Sequence, residues 1–225
     1  MKILNFNLER LLNKSKIEPI MQIIESYKAD IVILTETNSE KIKLNSTYFC
    51  QHSATLAKNH DDVDYYRNGE NRVSIYSKYP ITRKIYTSDE FASLAVEIET
   101  NYGNLIVYGI IIGVFGYSAD KRRFIKDFNN QAIDFENIFK NNNVCLVGDL
   151  NISMTGRVYP STEYRGKLNK IIDKYKLDNS TGAIENNVDH ILISKKIIGN
   201  LKLKVETFNV DKKLSDHIGI CLTLV

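Results

Sequence analysis

Polar side chains stand at the ends of five apolar runs in this sequence, where they could carry chemistry. They are Asn7, Glu36, Asp149 with Asn151, Asp189 with His190, and Asp216 with His217. Any one of them taken alone is typical of the turn that follows a strand. If the strands lie side by side, however, all five ends meet at one edge of the fold, where loops on a rigid scaffold commonly carry function. We therefore treat the set as one candidate site.

These side chains include no nucleophilic Cys or Ser and suit the chemistry of phosphate esters. Carboxylate and carbonyl oxygens are ligands for a hard cation such as Mg²⁺ or Mn²⁺, which is usually held by one or two carboxylates together with substrate phosphate. Such a cation neutralises phosphate charge, a carboxylate beside a water supplies a general base, and an imidazole paired with a second carboxylate stabilises the transition state. Zinc is disfavoured because the histidines lack a spaced ligand set such as HExxH.

The elements that must position these residues alternate between strands and helices. A βαβ unit opens the chain, with strands at 2–8 and 29–35 around a helical repeat of apolar residues that starts at Ile17. The other predicted elements are strands at 72–79, 82–87, 92–99, 105–112, 144–147, 188–193, 201–205 and 218–224, and helices at 120–140 and 168–175. Because strands outnumber helices, we predict an α/β fold in which two mixed β-sheets pack together and are flanked by helices, as a single domain over residues 1–225.

Composition excludes several protein classes. The chain has 225 residues, 43% hydrophobic and 25% charged, which is close to the globular average and disfavours disorder, collagen-like repeats and coiled coils. Its formal net charge of +3 is too small to identify a nucleic-acid-binding protein, because such proteins are recognised by a clustered basic face.

The cysteines and the N-terminus indicate the compartment. Cys50, Cys145 and Cys221 are far apart and odd in number, so we expect buried free thiols and neither a zinc site nor a disulfide framework. Asn5 and Asn7 interrupt the apolar run that a signal peptide would need, and no segment approaches the roughly 18 apolar residues of a membrane span. We expect a cytoplasmic protein with no membrane anchor.

Six short strings spread over the chain resemble a known family. In chain order they are NFN at Asn7, LTET at Glu36, RVSIYSKYPI from Arg72, GDLN from Gly148, VDHILIS from Val188 and LSDH from Leu214. They are similar, in the same order, to the motifs of the endonuclease/exonuclease/phosphatase superfamily, which includes AP endonucleases, pancreatic-type deoxyribonucleases, sphingomyelinases and inositol polyphosphate 5-phosphatases. The resemblance implies a four-layer α/β sandwich.

The resemblance also implies a metal site. Glu36 resembles the principal metal-binding glutamate of the family, with Asn7 and Asp216 as further ligands, and the implied cofactor is Mg²⁺ or Mn²⁺. Thr35 stands before the glutamate where many members have Gln, a change that is compatible with metal binding because the carboxylate is retained.

Four further residues are implied to act on the phosphate. Asp149 resembles the aspartate that orients or deprotonates the attacking water, and Asn151 the asparagine that hydrogen-bonds the phosphate or the nucleophile. His217 is similar to the histidine placed on the scissile phosphate, and Asp189 to the carboxylate that pairs with it.

One stretch departs from the family pattern. The family places a His, or in AP endonucleases a Tyr, before the long central helix, but residues 105–123 contain no His. Tyr108 and Tyr117 are the only aromatic hydroxyls there that could substitute. The chain also has no Trp, so the WxxSDH string of the repair enzymes is missing and specific recognition of abasic sites is not supported.

The substrate is less defined than the chemistry. A loop at 153–166 directly follows Asp149 and Asn151, so Arg157 and Arg165 are predicted to contact substrate, as is Tyr117. We expect a metal-dependent phosphodiester hydrolase, in the first place a nuclease acting on DNA or RNA. The alternatives are a phosphomonoesterase or phospholipid phosphodiesterase of the same fold, and a degenerate domain that binds a phosphorylated ligand without turnover.

A second polar group lies between the LTET string at Glu36 and the string that starts at Arg72. His52 and His60 stand near the acidic residues Asp61, Asp62 and Asp64. A second metal site is conceivable there, but a solvated loop is the simpler interpretation.

Overall fold

A computed structural model describes residues 1–62 and 65–225. Strands and α-helices follow in the order β1 (Lys2–Asn7), α1 (Ile17–Ser26), β2 (Ile31–Asn38), β3 (Phe49–His52), β4 (Glu70–Ser77), β5 (Ile81–Ile85), β6 (Ser93–Thr100), β7 (Gly103–Ile111), α2 (Lys121–Ile138), β8 (Val144–Asp149), α3 (Thr162–Lys174), β9 (Leu177–Asp178), β10 (Asp189–Ser194), α4 (Lys195–Ile198), β11 (Leu203–Phe208) and β12 (Gly219–Leu224).

The strands form two six-stranded sheets. The first has the order β11-β12-β1-β2-β4-β3 and the second the order β5-β6-β7-β8-β10-β9. Each sheet has one parallel pair, β1 with β2 and β7 with β8, and the other neighbours are antiparallel. A parallel pair needs a crossover, which α1 and α2 supply in the two sheets. The predicted pair of mixed sheets is confirmed.

Apolar side chains on one face of each strand and helix pack the layers together. Between the sheets, alternate strand residues such as Ile33, Val107 and Val147 are fully buried in one cluster. On the outer face of the second sheet, Phe124 and Phe128 of α2 belong to another cluster, since residues four apart share one side of a helix. A third cluster packs α1 against the first sheet. Helices, two sheets and helices therefore form the expected four layers.

Strand direction explains why the polar ends meet. Asn7 ends β1, and its register partner Thr35 on the parallel strand β2 directly precedes Glu36. In the second sheet Asp149 ends β8 and is paired with Asp189, the first residue of the antiparallel strand β10. β12 runs antiparallel to β1, so the loop that enters it, which carries His217, lies at the same edge.

Some local expectations were wrong. The helix predicted at 168–175 begins earlier, at Thr162, where the Ser161 side chain accepts a hydrogen bond from Tyr164 N and caps it. Cys50 is exposed and not buried, because it lies on β3 at the edge of the first sheet, whereas Cys145 and Cys221 are buried as expected. Among the described residues, no helix combines the length and apolar character needed to cross a bilayer.

Candidate active site

Asn7 joins the two halves of the candidate site. Its side chain is fully buried, and Nδ2 lies 3.2 Å from Glu36 Oε1 and 3.3 Å from Asp149 Oδ2, so one amide group donates to carboxylates from both sheets. Its Oδ1 accepts a hydrogen bond of 2.9 Å from Glu9 N. In this arrangement Asn7 presents its donor to the centre of the site and its oxygen to the loop after β1.

Unusual backbone conformations hold the two motif strands in place. Glu36 and Asn151 have φ angles of +44° and +50°, in the left-handed region that non-glycine residues rarely adopt. Gly148 has φ +140°, and a Cβ there would lie 2.1 Å from the carbonyl oxygen of Ile110. A side chain at this position would therefore push β8 away from β7 and displace Asp149. Such concentration of backbone strain is typical of functional sites.

Asn151 fixes the orientation of the Asp149 carboxylate. Asn151 N donates to Asp149 Oδ1 over 2.9 Å, and Asn151 Nδ2 donates to Asp149 Oδ2 over 3.2 Å. The same Nδ2 lies 2.9 Å from the carbonyl oxygen of Ile112, at the end of β7. Asn151 thus links the carboxylate to the loop in which the sequence lacks the family histidine.

His217 and Asp189 form a buried pair. The distance from His217 Nδ1 to Asp189 Oδ2 is 2.6 Å, and the Asp189 side chain is only 1% exposed. Burial lowers the pKa of His217, but the negative charges of Asp189, Asp149 and Asp216 outweigh it and raise the pKa to about 10. The imidazole is therefore charged at neutral pH. Its Nε2 lies 3.7 Å from Asp216 Oδ1, and the Asp216 side chain is 68% exposed at the mouth of the site.

The carboxylates carry more negative charge than the protein neutralises. Burial, followed by the charge of Asp189, raises the pKa of Asp149 to about 8, although His217 opposes the shift. Burial also raises the pKa of Glu36, against the hydrogen bond from Asn7. Asp189 Oδ1 is buried with no hydrogen-bond partner.

Ligand-type atoms of Asp149, Asp189 and His217 lie within 4.8 Å of one another. A divalent cation would relieve the repulsion and the desolvation among these groups. The carboxylate oxygens of Asp149 and Asp189 fit such an ion, whereas Glu36 lies outside this cluster of three and is connected to Asp149 through Asn7.

A cleft of about 900 Å³ opens beside His217. Its walls include Ser118, Asn151, Arg157, Tyr159, Asn186 and Lys212. Arg157 is exposed there, and its backbone N donates to Asn186 Oδ1 over 2.7 Å. Lys212 was not predicted as a site residue, and the fold brings it to the cleft beside His217.

Arg165 and Tyr117, the other two residues predicted to contact substrate, form contacts inside the protein. Arg165 donates from Nε to the carbonyl oxygen of Ser153 over 2.7 Å and from Nη2 to Ser153 Oγ over 3.0 Å, so its guanidinium group holds the loop after β8. The Tyr117 ring packs edge-on against Phe124 with the centroids 5.2 Å apart, while its backbone N donates to the Tyr159 hydroxyl over 3.0 Å. Tyr159, rather than Tyr117, therefore lines the cleft.

The loop without a histidine is held by a buried ionic network. Tyr108, one of the two suggested substitutes, is fully buried and its hydroxyl donates to Asp134 over 2.8 Å, so it cannot reach a substrate. Instead, Gly113 N donates to Asp127 Oδ2 over 3.1 Å, and Asp127 accepts from Arg123 Nε over 2.6 Å. This pair was not identified from the sequence. Arg123 and Asp127 stand four residues apart on a predicted helix, and this spacing indicates that their side chains can form an ion pair.

Asp61 extends this network, which corrects the expectation of a solvated acidic loop. Its side chain is only 6% exposed and forms ion pairs with Arg72 and Arg123, the latter over 2.5 Å. His60 packs on Phe91 with the ring centroids 4.2 Å apart. Asp64 lies outside the described residues.

Sequence comparison decides the family. The Endonuclease/Exonuclease/phosphatase family matches residues 4–217, which is nearly the whole chain. The chain belongs to this family. The predicted enzyme class, a metal-dependent phosphoester hydrolase, is confirmed at that level. No curated protein matches the sequence.

Solved structures of the endonuclease/exonuclease/phosphatase type share the fold. A 3′-5′ exonuclease (NExo) from Neisseria meningitidis superposes with a TM-score of 0.73 at 15% identity over 100% of this chain and 99% of that one. An AP endonuclease from Archaeoglobus fulgidus gives 0.70 at 14% identity over 100% and 99%. TDP2 from C. elegans gives 0.69 at 14% identity over 99% and 74%. At these identities the likeness is one of fold, and it confirms the predicted sandwich.

Proposed function

We propose that this chain is a Mg²⁺- or Mn²⁺-dependent phosphodiesterase that cleaves nucleic acid, acting as one catalytic domain over residues 1–225. The observation that carries the proposal is the meeting of the charged His217–Asp189 pair with Asp149 and the Asn7-bridged Glu36 at one edge of the two sheets. A general base, a cationic stabiliser and a carboxylate for a metal are the three groups that phosphodiester hydrolysis needs.

Asp149 is the group that takes a proton from the attacking water. Burial and the charge of Asp189 raise its pKa to about 8, so its carboxylate accepts a proton more readily than an ordinary aspartate, and a bound cation would keep it ionised for this role. The two hydrogen bonds from Asn151 hold the carboxylate in one orientation. A substrate seated between Asp149 and His217 would therefore meet a base whose direction is already set.

His217 stabilises the negative charge that develops on the phosphate oxygens. Its Nδ1 is engaged by Asp189, so Nε2 is the atom free to donate toward the substrate. Because Asp189 is buried and keeps the imidazole charged, the donor is oriented before substrate arrives and no reorganisation is needed during the reaction.

Glu36 is proposed as the principal ligand of the metal, with Asp216 at the exposed side of the site. When bound, the ion would neutralise charge on the phosphate and polarise it for attack. Asn7 is proposed to act beside it by keeping the carboxylates of Glu36 and Asp149 at a set distance, since its Nδ2 donates to both.

The choice of nucleic acid as substrate is supported by the cleft and by structural neighbours. Arg157 and Lys212 place positive charge in a cleft that also presents the phenol ring of Tyr159. Cations that meet phosphates and rings that stack on bases are the usual elements of a strand-binding site. Among the structural neighbours, one is described as a 3′ phosphatase bound to product DNA hairpin and others as an exonuclease and an AP endonuclease.

A substrate panel tests this function. The purified protein is stripped with EDTA and assayed with and without Mg²⁺ or Mn²⁺ on single-stranded DNA, RNA, plasmid, inositol phosphates and bis-p-nitrophenyl phosphate. We expect metal-dependent cleavage of a nucleic acid that is lost in Glu36→Gln and His217→Ala. Turnover of inositol phosphates alone would favour the phosphomonoesterase alternative. Ligand binding in EDTA with no product from any substrate would favour a domain without turnover.

A further inference from the structure

A groove of about 1070 Å³ lies at the end of the second sheet opposite to the candidate active site. Its walls include Asn143, which precedes β8, and Ser194, which ends β10, whereas Asp149 and Asp189 stand at the other ends of the same strands. A strand of this length spans about 20 Å at the usual rise per residue. The groove is therefore separate from the cleft beside His217.

The groove holds the net positive charge of the whole chain. Five lysines and two carboxylates line it, giving a net charge of +3, and the formal net charge of the chain is also +3. The charged residues are Lys140, Lys174, Lys176, Lys195, Lys196, Glu136 and Asp173. The rest of the protein is formally neutral, so the basic excess that composition could not locate is concentrated here. A clustered basic face of this kind attracts polyanions.

Helix stability accounts for only part of this charge. Lys174 ends α3, where a cation is favoured by the helix dipole, and it is ion-paired with Glu136. Lys195 and Lys196 instead lie in α4, a single turn of four residues with no dipole to favour them, and both are exposed. Neither lysine forms an ion pair with a described carboxylate. No ion pair in the described part of the chain therefore explains why Lys195 and Lys196 stand here.

We infer that this lysine groove binds the phosphate backbone of a nucleic acid strand, as a second contact remote from the reacting phosphate. The inference rests on the proposed function, which supplies the class of polyanion. Lysine is a flexible point charge that neutralises phosphate without reading sequence, and the amide of Asn141 adds a neutral donor along the same wall. The groove thus adds affinity for long substrates and leaves the chemistry at Asp149 unchanged.

Charge reversal tests the groove against a matched control. The groove variant is Lys140→Glu/Lys195→Glu/Lys196→Glu, and the control is Lys14→Glu/Lys43→Glu/Lys202→Glu, which makes the same charge change at exposed positions outside both the groove and the cleft. Binding of single-stranded DNA of about 30 nucleotides is measured in EDTA between about 50 and 200 mM salt. For the groove variant we expect Kd to rise at least about tenfold at low salt and the slope of log K against log salt to fall by about 2.

The outcomes separate this inference from the proposed function. Turnover of bis-p-nitrophenyl phosphate with metal is expected to be unchanged in both variants, because that small ester reaches only the active site. If wild-type protein fails to turn it over, the proposed function fails while the binding measurement still stands. The inference that the groove binds nucleic acid is overturned if the groove variant binds DNA as tightly as the control variant does. Loss of binding to phosphatidylserine vesicles with DNA binding intact would assign the groove to a membrane and would also overturn it.

The groove variant is expected to remain folded. All three substituted side chains are exposed, and substitutions on the surface usually change stability little. Its melting temperature should therefore stay close to that of the wild type, so weaker DNA binding cannot be attributed to unfolding.

Discussion

His217 Nδ1 lies 2.6 Å from Asp189 Oδ2, and the two residues come from different sheets of the sandwich. Asp189 opens β10 of the second sheet, while His217 lies in the loop before β12 of the first. The pair exists only when the two sheets are packed together. It therefore couples the charge state of the imidazole to the assembly of the whole fold.

Asp189→Asn should lower kcat by about 10²- to 10⁴-fold, because a neutral amide no longer keeps the imidazole charged and oriented. KM should change little, since Asp189 is buried and carries no direct contact to solvent. Steady-state kinetics on bis-p-nitrophenyl phosphate measure both constants. Asp189→Asn combined with His217→Ala should be no worse than His217→Ala alone, as expected for groups that act as a unit. Fully additive losses would show that the two residues act separately.

Glu36→Gln should raise the Mg²⁺ concentration needed for half-maximal activity by at least about 10- to 100-fold, because the site loses a formal negative charge directed at the cation. Activity is titrated with Mg²⁺ after treatment with EDTA. Glu97→Gln is the matched control, since Glu97 pairs with Arg83 on the surface of the second sheet. An unchanged metal requirement in Glu36→Gln would remove this residue from the metal site.

Gly148→Ala should destabilise the protein by about 2 kcal/mol or more and reduce activity, because a Cβ at this position meets the carbonyl oxygen of Ile110 and the φ angle is positive. Gly166→Ala is its control. Gly166 lies inside α3 with open space around it, so the same change there should stabilise the fold by about 0.5 to 1 kcal/mol. Urea unfolding curves of the two variants provide the comparison, and equal midpoints would contradict the close approach of β7 and β8.

Arg157→Ala and Arg165→Ala should separate a substrate contact from a loop support. Arg157 is exposed in the cleft, so its loss should raise KM for nucleic acid about threefold to tenfold at low salt and leave the melting temperature unchanged. Arg165 holds Ser153 through two hydrogen bonds, so its loss should lower stability by about 1 to 3 kcal/mol. A KM effect confined to Arg165→Ala would reverse this assignment.

His190 should make stability fall as the pH falls. Burial lowers the pKa of His190, whereas in the unfolded chain the group protonates near its ordinary value of about 6.5. Below that pH the unfolded state binds more protons, so unfolding becomes more favourable. His190→Gln should therefore reduce the stability that is lost between about pH 7.5 and 5. Urea unfolding at a series of pH values measures this, and parallel curves for the variant and the wild type would contradict it.

Much of the fold followed from patterns that are local in the sequence. Apolar residues at every second position located most strands, and apolar residues at the helical period located α1 and α2. Burial of one face of a strand or helix requires these spacings. The polar residues Asn7, Glu36, Asp149 and Asp189 were found for the same reason, since they interrupt buried strands at their ends. Strand direction then brings them to one edge, as the structure places them.

The tertiary structure decided which side chains face the cleft and which hold the loops. Arg157 and Arg165 look alike in the sequence, yet one lines the cleft and the other supports Ser153. Asp61 resembled a solvated loop residue, but Arg72 and Arg123 approach it from β4 and α2. Charge pairs of this kind depend on loops and helices that are distant in the chain. Sequence alone therefore determined the fold and the chemistry of the strand ends, whereas the packing of distant segments determined the partners of charged side chains such as Asp61, Arg72 and Arg165 around them.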